Sequence, residues 1–311
     1  MNCAKCGFAN APEATECARC GIVFGKNRSV APPASAALSR RRPPESAAPH
    51  DEPEISDGRI GRKELTILGT GFAAAIVAHA IPFVRFMFSA LVSLLHEFGH
   101  AIVAWLLGHP AIPAFDFVYG GGFTNTSQFH LSIAIAIAAG FAYAAWLFRR
   151  NPKTLAVLGA IFLIWLVLVS SDWRRETAIS AAGHAAEVIF AAILFYQALS
   201  GVGWRIPEIE RPLGAFAAFF VQIQTMRFAW QLFHDPDVLA VYREGKGGAL
   251  MNDLEVLALN LHIYLGITPG IEGMAKVLFL FSLIPIPIAI VWYLNRSRWH
   301  RMGRVLLQFE S

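Results

Sequence analysis

The sequence predicts a mostly α fold, a polytopic bundle of about six to seven transmembrane helices with a small cysteine-bearing module at its N terminus. Three observations predict it. Of 311 residues, 55% are hydrophobic and only 15% charged, where a soluble domain carries about a quarter. From Leu65 onward the chain breaks into apolar stretches, each near the length a bilayer requires. The four cysteines, Cys3, Cys6, Cys17 and Cys20, all lie ahead of the first apolar stretch.

Residues 1–26 come first. Two C-x-x-C pairs separated by ten residues are the spacing of a zinc ribbon: each pair closes a knuckle, and two knuckles complete a tetrahedral thiolate site. Gly7 and Gly21 follow the pairs where a knuckle turn needs a permissive backbone. Four thiolates leave no open coordination position, so this zinc is expected to be structural and the ribbon a docking or regulatory module for a protein partner. Residues 27–63, rich in Pro, Ala, Ser and Arg, read as a disordered linker. The chain opens on this polar segment instead of a basic start and a short apolar run. No cleavable signal peptide is therefore expected, and the ribbon and linker are placed on the cytoplasmic side.

The bundle is predicted over 64–295, with apolar spans at about 65–84, 86–107, 131–148, 154–170, 178–200, 213–233 and 274–294. A basic tail fills 296–311. The net charge of +4 is concentrated near the termini, as membrane topology requires, which argues against nucleic acid as a partner. The N-terminal segment, Arg149-Arg150 with Lys153, Arg174-Arg175 and the tail all carry the cytoplasmic signature. Seven full spans cannot put both basic ends on one side. Either one segment is re-entrant, or two spans form a hairpin that does not cross. Pro285 and Pro287 predict a kink in the last span.

Within the second span lies His96-Glu97-Phe98-Gly99-His100. Histidines four apart share one helix face and can bind one zinc ion, and Glu97 stands where it can take a proton from a zinc-bound water. Ionisable groups at that depth are costly unless they pair, bind metal or line a wet cavity. A catalytic zinc takes three protein ligands. The third could come from His184 or Glu187, one helical turn apart in the fifth span, or from the acidic group Asp235, Asp237 and Asp253. Asp253 also reads as the N-cap of an amphipathic helix over Asp253–Leu265. Arg227, within the sixth span, needs a partner or a route to the interface; Asp253 and Glu187 are the candidate partners. His79 and His262 read as hydrogen-bonded packing residues. Between the second and third spans, Gly120-Gly121-Gly122-Phe123-Thr124 belongs either to a turn-rich loop or to a short strand pair dipping in beside the metal site. No nucleotide-binding glycine loop and no Gly-x-Ser-x-Gly nucleophile is present.

Leu91–Gly108 (LVSLLHEFGHAIVAWLLG) resembles the metal-binding helix of the site-2 protease family of intramembrane zinc metalloproteases. Gly120–Thr124 is similar to the Gly-rich edge strand that follows in that family, and Ala182-Gly183 to the start of a later span. The family's Leu-Asp-Gly motif is absent; Asn252-Asp253-Leu254 resembles a divergent form of that segment. The resemblance covers roughly 86–270. It implies that His96, His100 and Asp253 hold a catalytic zinc, with Glu187 and His184 as alternatives to Asp253, and that Glu97 is the general base. It implies a membrane-protein substrate cleaved within the bilayer, its unwound segment held as an added strand by Gly121, Gly122 and Phe123. Two other readings remain: a non-proteolytic membrane adaptor or sensor acting through the ribbon, and a membrane metalloprotease of another fold using Glu187 as third ligand.

Overall fold

The computed structural model describes residues 58–116, 121–244 and 251–307, together with a few isolated positions near the N terminus. The ribbon cysteines Cys6, Cys17 and Cys20, and the linker up to residue 57, lie outside the described residues. Residues from Ile55 onward form one unit. Its helices are α1 (Arg62–Ala80), α2 (Pro82–Leu106), α3 (Leu131–Leu147), α4 (Pro152–Val169), α5 (Asp172–Ser200), α6 (Pro207–His234), α7 (Pro236–Glu244), α8 (Asp253–Leu265), α9 (Gly270–Ser282), α10 (Pro285–Leu294) and α11 (Arg296–Leu307). Strands β1 (Ala111–Asp116) and β2 (Gly121–Thr126) form an antiparallel hairpin between α2 and α3. Proline opens α2, α4, α6, α7 and α10, in the first turn, where its missing N–H has no intrahelical partner to lose. Two expected boundaries move. The first helix begins at Arg62, inside the segment expected to be linker, and most of the basic tail is helical as α11.

Among the described residues, four stretches are long and apolar enough to cross a membrane: Pro82–Leu106, Pro152–Val169, Asp172–Ser200 and Gly270–Leu294. Their outer faces carry Leu91, Ile102, Leu163, Ile164, Ile189 and Leu280, all strongly exposed. A helix apolar on every side is suited to lipid, not water. The protein is thus a mostly helical, membrane-type bundle.

Helix directions follow from side-chain contacts. α6 runs antiparallel to α5: Arg211 near its start donates to the carbonyls of Ala198 and Leu199, each at 2.7 Å, and Thr225 farther along meets Glu187. Gly201 ends α5 with φ of 74°, which leaves the last carbonyls unpaired, and the Arg211 guanidinium fills that need. α1 runs in the sense of α6: Glu64 lies 3.5 Å from Arg211, Phe72 packs on Phe219, and His79 reaches the Phe220 carbonyl at 3.3 Å. Gly71 permits this close approach, because a Cβ there would sit 2.6 Å from that of Ala215. α2 is antiparallel to α5, so it too runs in the sense of α6: His96 meets Glu187, Gly99 lies against Ala182, and His100 meets the Ile179 carbonyl. The first two apolar segments therefore climb in one direction.

The last apolar segment is broken at Pro285, as expected. The Ser282 carbonyl near the break accepts from Gln222 Nε2 of α6 at 2.9 Å, so a buried polar side chain satisfies the interrupted backbone. At one end of the bundle, the Gly58 amide donates to the Tyr293 carbonyl, and Asn151 and Thr154 donate to the carbonyls of Val305 and Leu306. This gathers the basic residues near 59–63, 149–153 and 296–304 on one side. Arg174-Arg175, which shares their sequence signature, lies at the other end of α4 instead. There Arg175 donates to the Val169 carbonyl, pairs with Asp172 and stacks 4.2 Å over the Phe129 ring.

Candidate metal centre

The H-E-x-x-H stretch forms a regular part of α2, which puts both imidazoles on the face turned to α5. Each ring is fixed through Nδ1. His100 Nδ1 lies 2.6 Å from the Ile179 carbonyl oxygen, and His96 Nδ1 lies 2.7 Å from Glu187 Oε1. A carbonyl can only accept, so the His100 proton sits on Nδ1 and Nε2 presents a lone pair. The Glu187 carboxylate imposes the same tautomer on His96. Glu187 is itself buried and receives the Thr225 hydroxyl at 2.5 Å.

The two Nε2 atoms are 2.9 Å apart, and Asp253 Oδ2 lies 2.9 Å from that of His96 and 3.2 Å from that of His100. With both histidine protons on Nδ1, three lone pairs converge, and their repulsion is relieved by a shared proton or by a metal ion. The donors suit zinc. Ligand bonds of about 2.0–2.1 Å at a tetrahedral metal space neighbouring donors by roughly 3.3 Å.

Behind the site, Gly183 leaves the space the imidazoles occupy. A Cβ there would stand 2.5 Å from His100 Nε2 and from His96 Cε1 and Nε2. Gly183→Ala should therefore displace both rings and weaken metal binding by more than tenfold, with the helical content unchanged. Metal titration and circular dichroism of the purified variant check this.

No protein-family model, no curated protein and no solved structure matches this chain. The chemistry of the centre therefore rests on its own geometry.

Asp253 is brought to α2 by α8. Asn252, not Asp253, is the N-cap residue: its amide donates to Glu255 Oε2 at 2.8 Å and its side chain donates to the Tyr242 carbonyl of α7. This corrects the capping reading of Asp253 and frees its carboxylate to turn toward the histidines. Glu187 lies on the Nδ1 side of His96, away from the point of convergence, so it orients that ring. His184 packs edge-on to His96 with centroids 4.4 Å apart and places Nδ1 3.3 Å from Glu187 Oε1. A ligand atom of His184 lies within 4.8 Å of those of His96 and Asp253.

Asp235 and Asp237 are exposed and remote. Asp235 Oδ1 accepts from the amides of Asp237 and Val238, capping α7. Arg227 is exposed on α6, while the carboxylates of Glu187 and Asp253 are engaged by histidines. His79 hydrogen-bonds and stacks on Phe220, and His262 is exposed.

Glu97 is buried, within 4.8 Å of the histidine ligand atoms. The segment after α2 is the strand pair, and β2 lies against this glutamate. The Thr124 hydroxyl is 2.6 Å from Glu97 Oε2, and a Cβ on Gly122 would strike Glu97 Cγ at 2.5 Å. Gly121 and Gly122 line the same cleft as His96, Glu97 and Asp253, a cavity of about 340 Å³, whereas Phe123 points away and is half exposed. Tyr242 also lines it. Burial, with the Asp253 and Glu255 carboxylates nearby, pushes its phenol up, so it stays protonated across the physiological range.

Thr124 and Thr225, the residues that hold the two glutamates, carried no motif. For Thr225 a signal existed: with Gln222 and Gln224 it forms a polar run directly after the apolar stretch 213–221 of α6.

Proposed function

We propose that this protein is an intramembrane zinc metalloendopeptidase, similar in kind to the site-2 proteases, that hydrolyses peptide bonds in membrane-protein substrates. The observation that carries the reading is the convergence of His96 Nε2, His100 Nε2 and Asp253 Oδ2 beside the buried Glu97 carboxylate. These three donors would hold the metal. Zinc held there supplies Lewis acidity toward a scissile carbonyl and toward a water.

Glu97 takes the proton from the attacking water and returns it to the leaving amine. Thr124 fixes the carboxylate so that Oε2 is tied and Oε1 is left for the water. Glu187, held by Thr225, keeps His96 in the binding tautomer. β2 pairs with β1 on one edge only, so an unwound substrate segment can add to the other edge and run past Glu97.

In membrane terms, α1 and α2 contribute one crossing and α3, α4, α5, α6 and α9–α10 one each. Six crossings put both basic ends on the same, cytoplasmic side. α7 and α8 make the re-entrant excursion that carries Asp253 to the depth of His96. The ribbon, on this reading, holds its own zinc through Cys3, Cys6, Cys17 and Cys20 and docks a protein partner.

The test is proteolysis of single-span reporter proteins co-reconstituted with the full chain in liposomes. Cleavage within the span should stop on chelation and return with zinc. Cleavage that survives chelation, or none against a broad panel of spans, would sink the proposal.

A further inference from the structure

The basic tail does more than mark a side of the membrane. Arg296, Trp299, His300, Gly303, Arg304 and Leu307 recur at helical spacing, so they form one face of α11. That face touches the bundle where Trp299 meets Trp292 and Arg296 lies 5.4 Å over the Tyr293 ring. Among the described residues, this face, Tyr196 of α5 and Trp292 of α10 line a groove of about 700 Å³. The groove has a cationic rim and an aromatic wall. Trp292 and Trp299 lie 6.1 Å apart between ring centroids, with Tyr196 edge-on to Trp292 at 6.3 Å.

Its position fixes its surroundings. α10 is the end of an apolar stretch that can cross a membrane, and α11 runs from there to the start of α4, where Asn151 and Thr154 hold its last carbonyls. The groove therefore opens where hydrocarbon meets headgroups. Nearby are the basic residues Arg59, Arg62, Arg149 and Lys153.

We propose that this groove binds one anionic phospholipid, its phosphate on Arg296, His300 and Arg304 and an acyl chain along Trp292, Trp299 and Tyr196. A soluble anion would use the rim and leave the aromatic wall bare. A zwitterionic lipid would place its own cation against the arginines. An anionic lipid matches both halves, since clustered arginines at an interface attract anionic headgroups and flanking aromatics accept the chain. The consequence is a fixed α11, because one lipid would bridge the last helix to α5 and α10.

Thermal unfolding of the full chain in dodecyl maltoside tests this. Dioleoylphosphatidylglycerol should raise Tm by several degrees and saturate, while dioleoylphosphatidylcholine and sodium phosphate should not. Arg296→Gln with Arg304→Gln should abolish the rise. Arg298→Gln with Arg301→Gln removes the same charge from the other face of α11 and should keep it. Equal responses to both lipids, a matching response to phosphate alone, or equal loss in the two double variants would each overturn the proposal. A second readout does not need the first double variant to fold. Phosphatidylglycerol with brominated acyl chains should quench tryptophan fluorescence more in the unaltered chain than in Trp299→Phe; equal quenching overturns it.

Discussion

In the Asp253→Ala protein, the full chain should lose one zinc equivalent, keeping only the metal expected in the ribbon, as read by elemental analysis after dialysis against a weak chelator. Asp253 Oδ2 touches both Nε2 atoms, at 2.9 and 3.2 Å, and among the described residues is the one carboxylate oxygen within hydrogen-bond distance of both. Removing it leaves two neutral imidazoles to hold a dication. Even a residue that merely orients a ligand typically costs 10–100-fold in metal affinity when lost, and a ligand should cost more, at least about 100-fold. The helices should survive, because Asn252 caps α8 and Leu254 and Leu257 seat it on α5, α6 and α9 without help from Asp253. Glu187→Gln, by contrast, should weaken metal binding without abolishing it, since the amide oxygen can still accept from His96 Nδ1. Unchanged zinc content in Asp253→Ala would remove this aspartate from the ligand set and return attention to His184.

The second large effect belongs to Glu97. Glu97→Gln should lower the rate of reporter cleavage by about 10²–10⁴-fold, the usual worth of a positioned general base, while zinc content stays the same. The amide is nearly isosteric and can still receive the Thr124 hydroxyl, so β2 should keep its place. The two variants separate binding from chemistry: Asp253→Ala loses metal and activity together, Glu97→Gln activity alone. If Glu97→Gln cleaves at an undiminished rate, the base is elsewhere and the proposed mechanism fails.

What the sequence made legible was the local part of the site. His96, Glu97 and His100 lie within one and a half turns of a helix, so their spacing alone puts them together. Residue type made Asp253 one candidate among several and only a resemblance singled it out, because 157 residues separate it from His96 and nothing local reveals their contact. Glu187 shows the limit more sharply. Its turn-long spacing to His184 suited a ligand, yet which imidazole nitrogen it approaches is a question of helix packing, set by Gly99 against Ala182 and Gly183 against the rings. The direction of the first apolar segment was out of reach for a related reason. Hydropathy measures length and polarity but carries no sign of direction, and the direction of α1 is decided by Gly71 lying against Ala215 of a helix far along the chain. The hairpin after α2 was left open between strand and loop because its glycines suit both, and packing on Glu97 decides it.

The donor set has an order in time as well as in space. His96 and His100 leave the ribosome early, and the oxygen that completes their triangle follows 153 residues behind His100. Chains fold largely from the N terminus as they are made. The nascent protein therefore passes through α3, α4, α5 and α6 with Glu97 in place but the metal position incomplete. A chain interrupted before α8 carries the motif without Asp253. On the proposed function, the late arrival of Asp253 would make competence a property of the finished bundle, so that the site is completed only after the helices before it are in place.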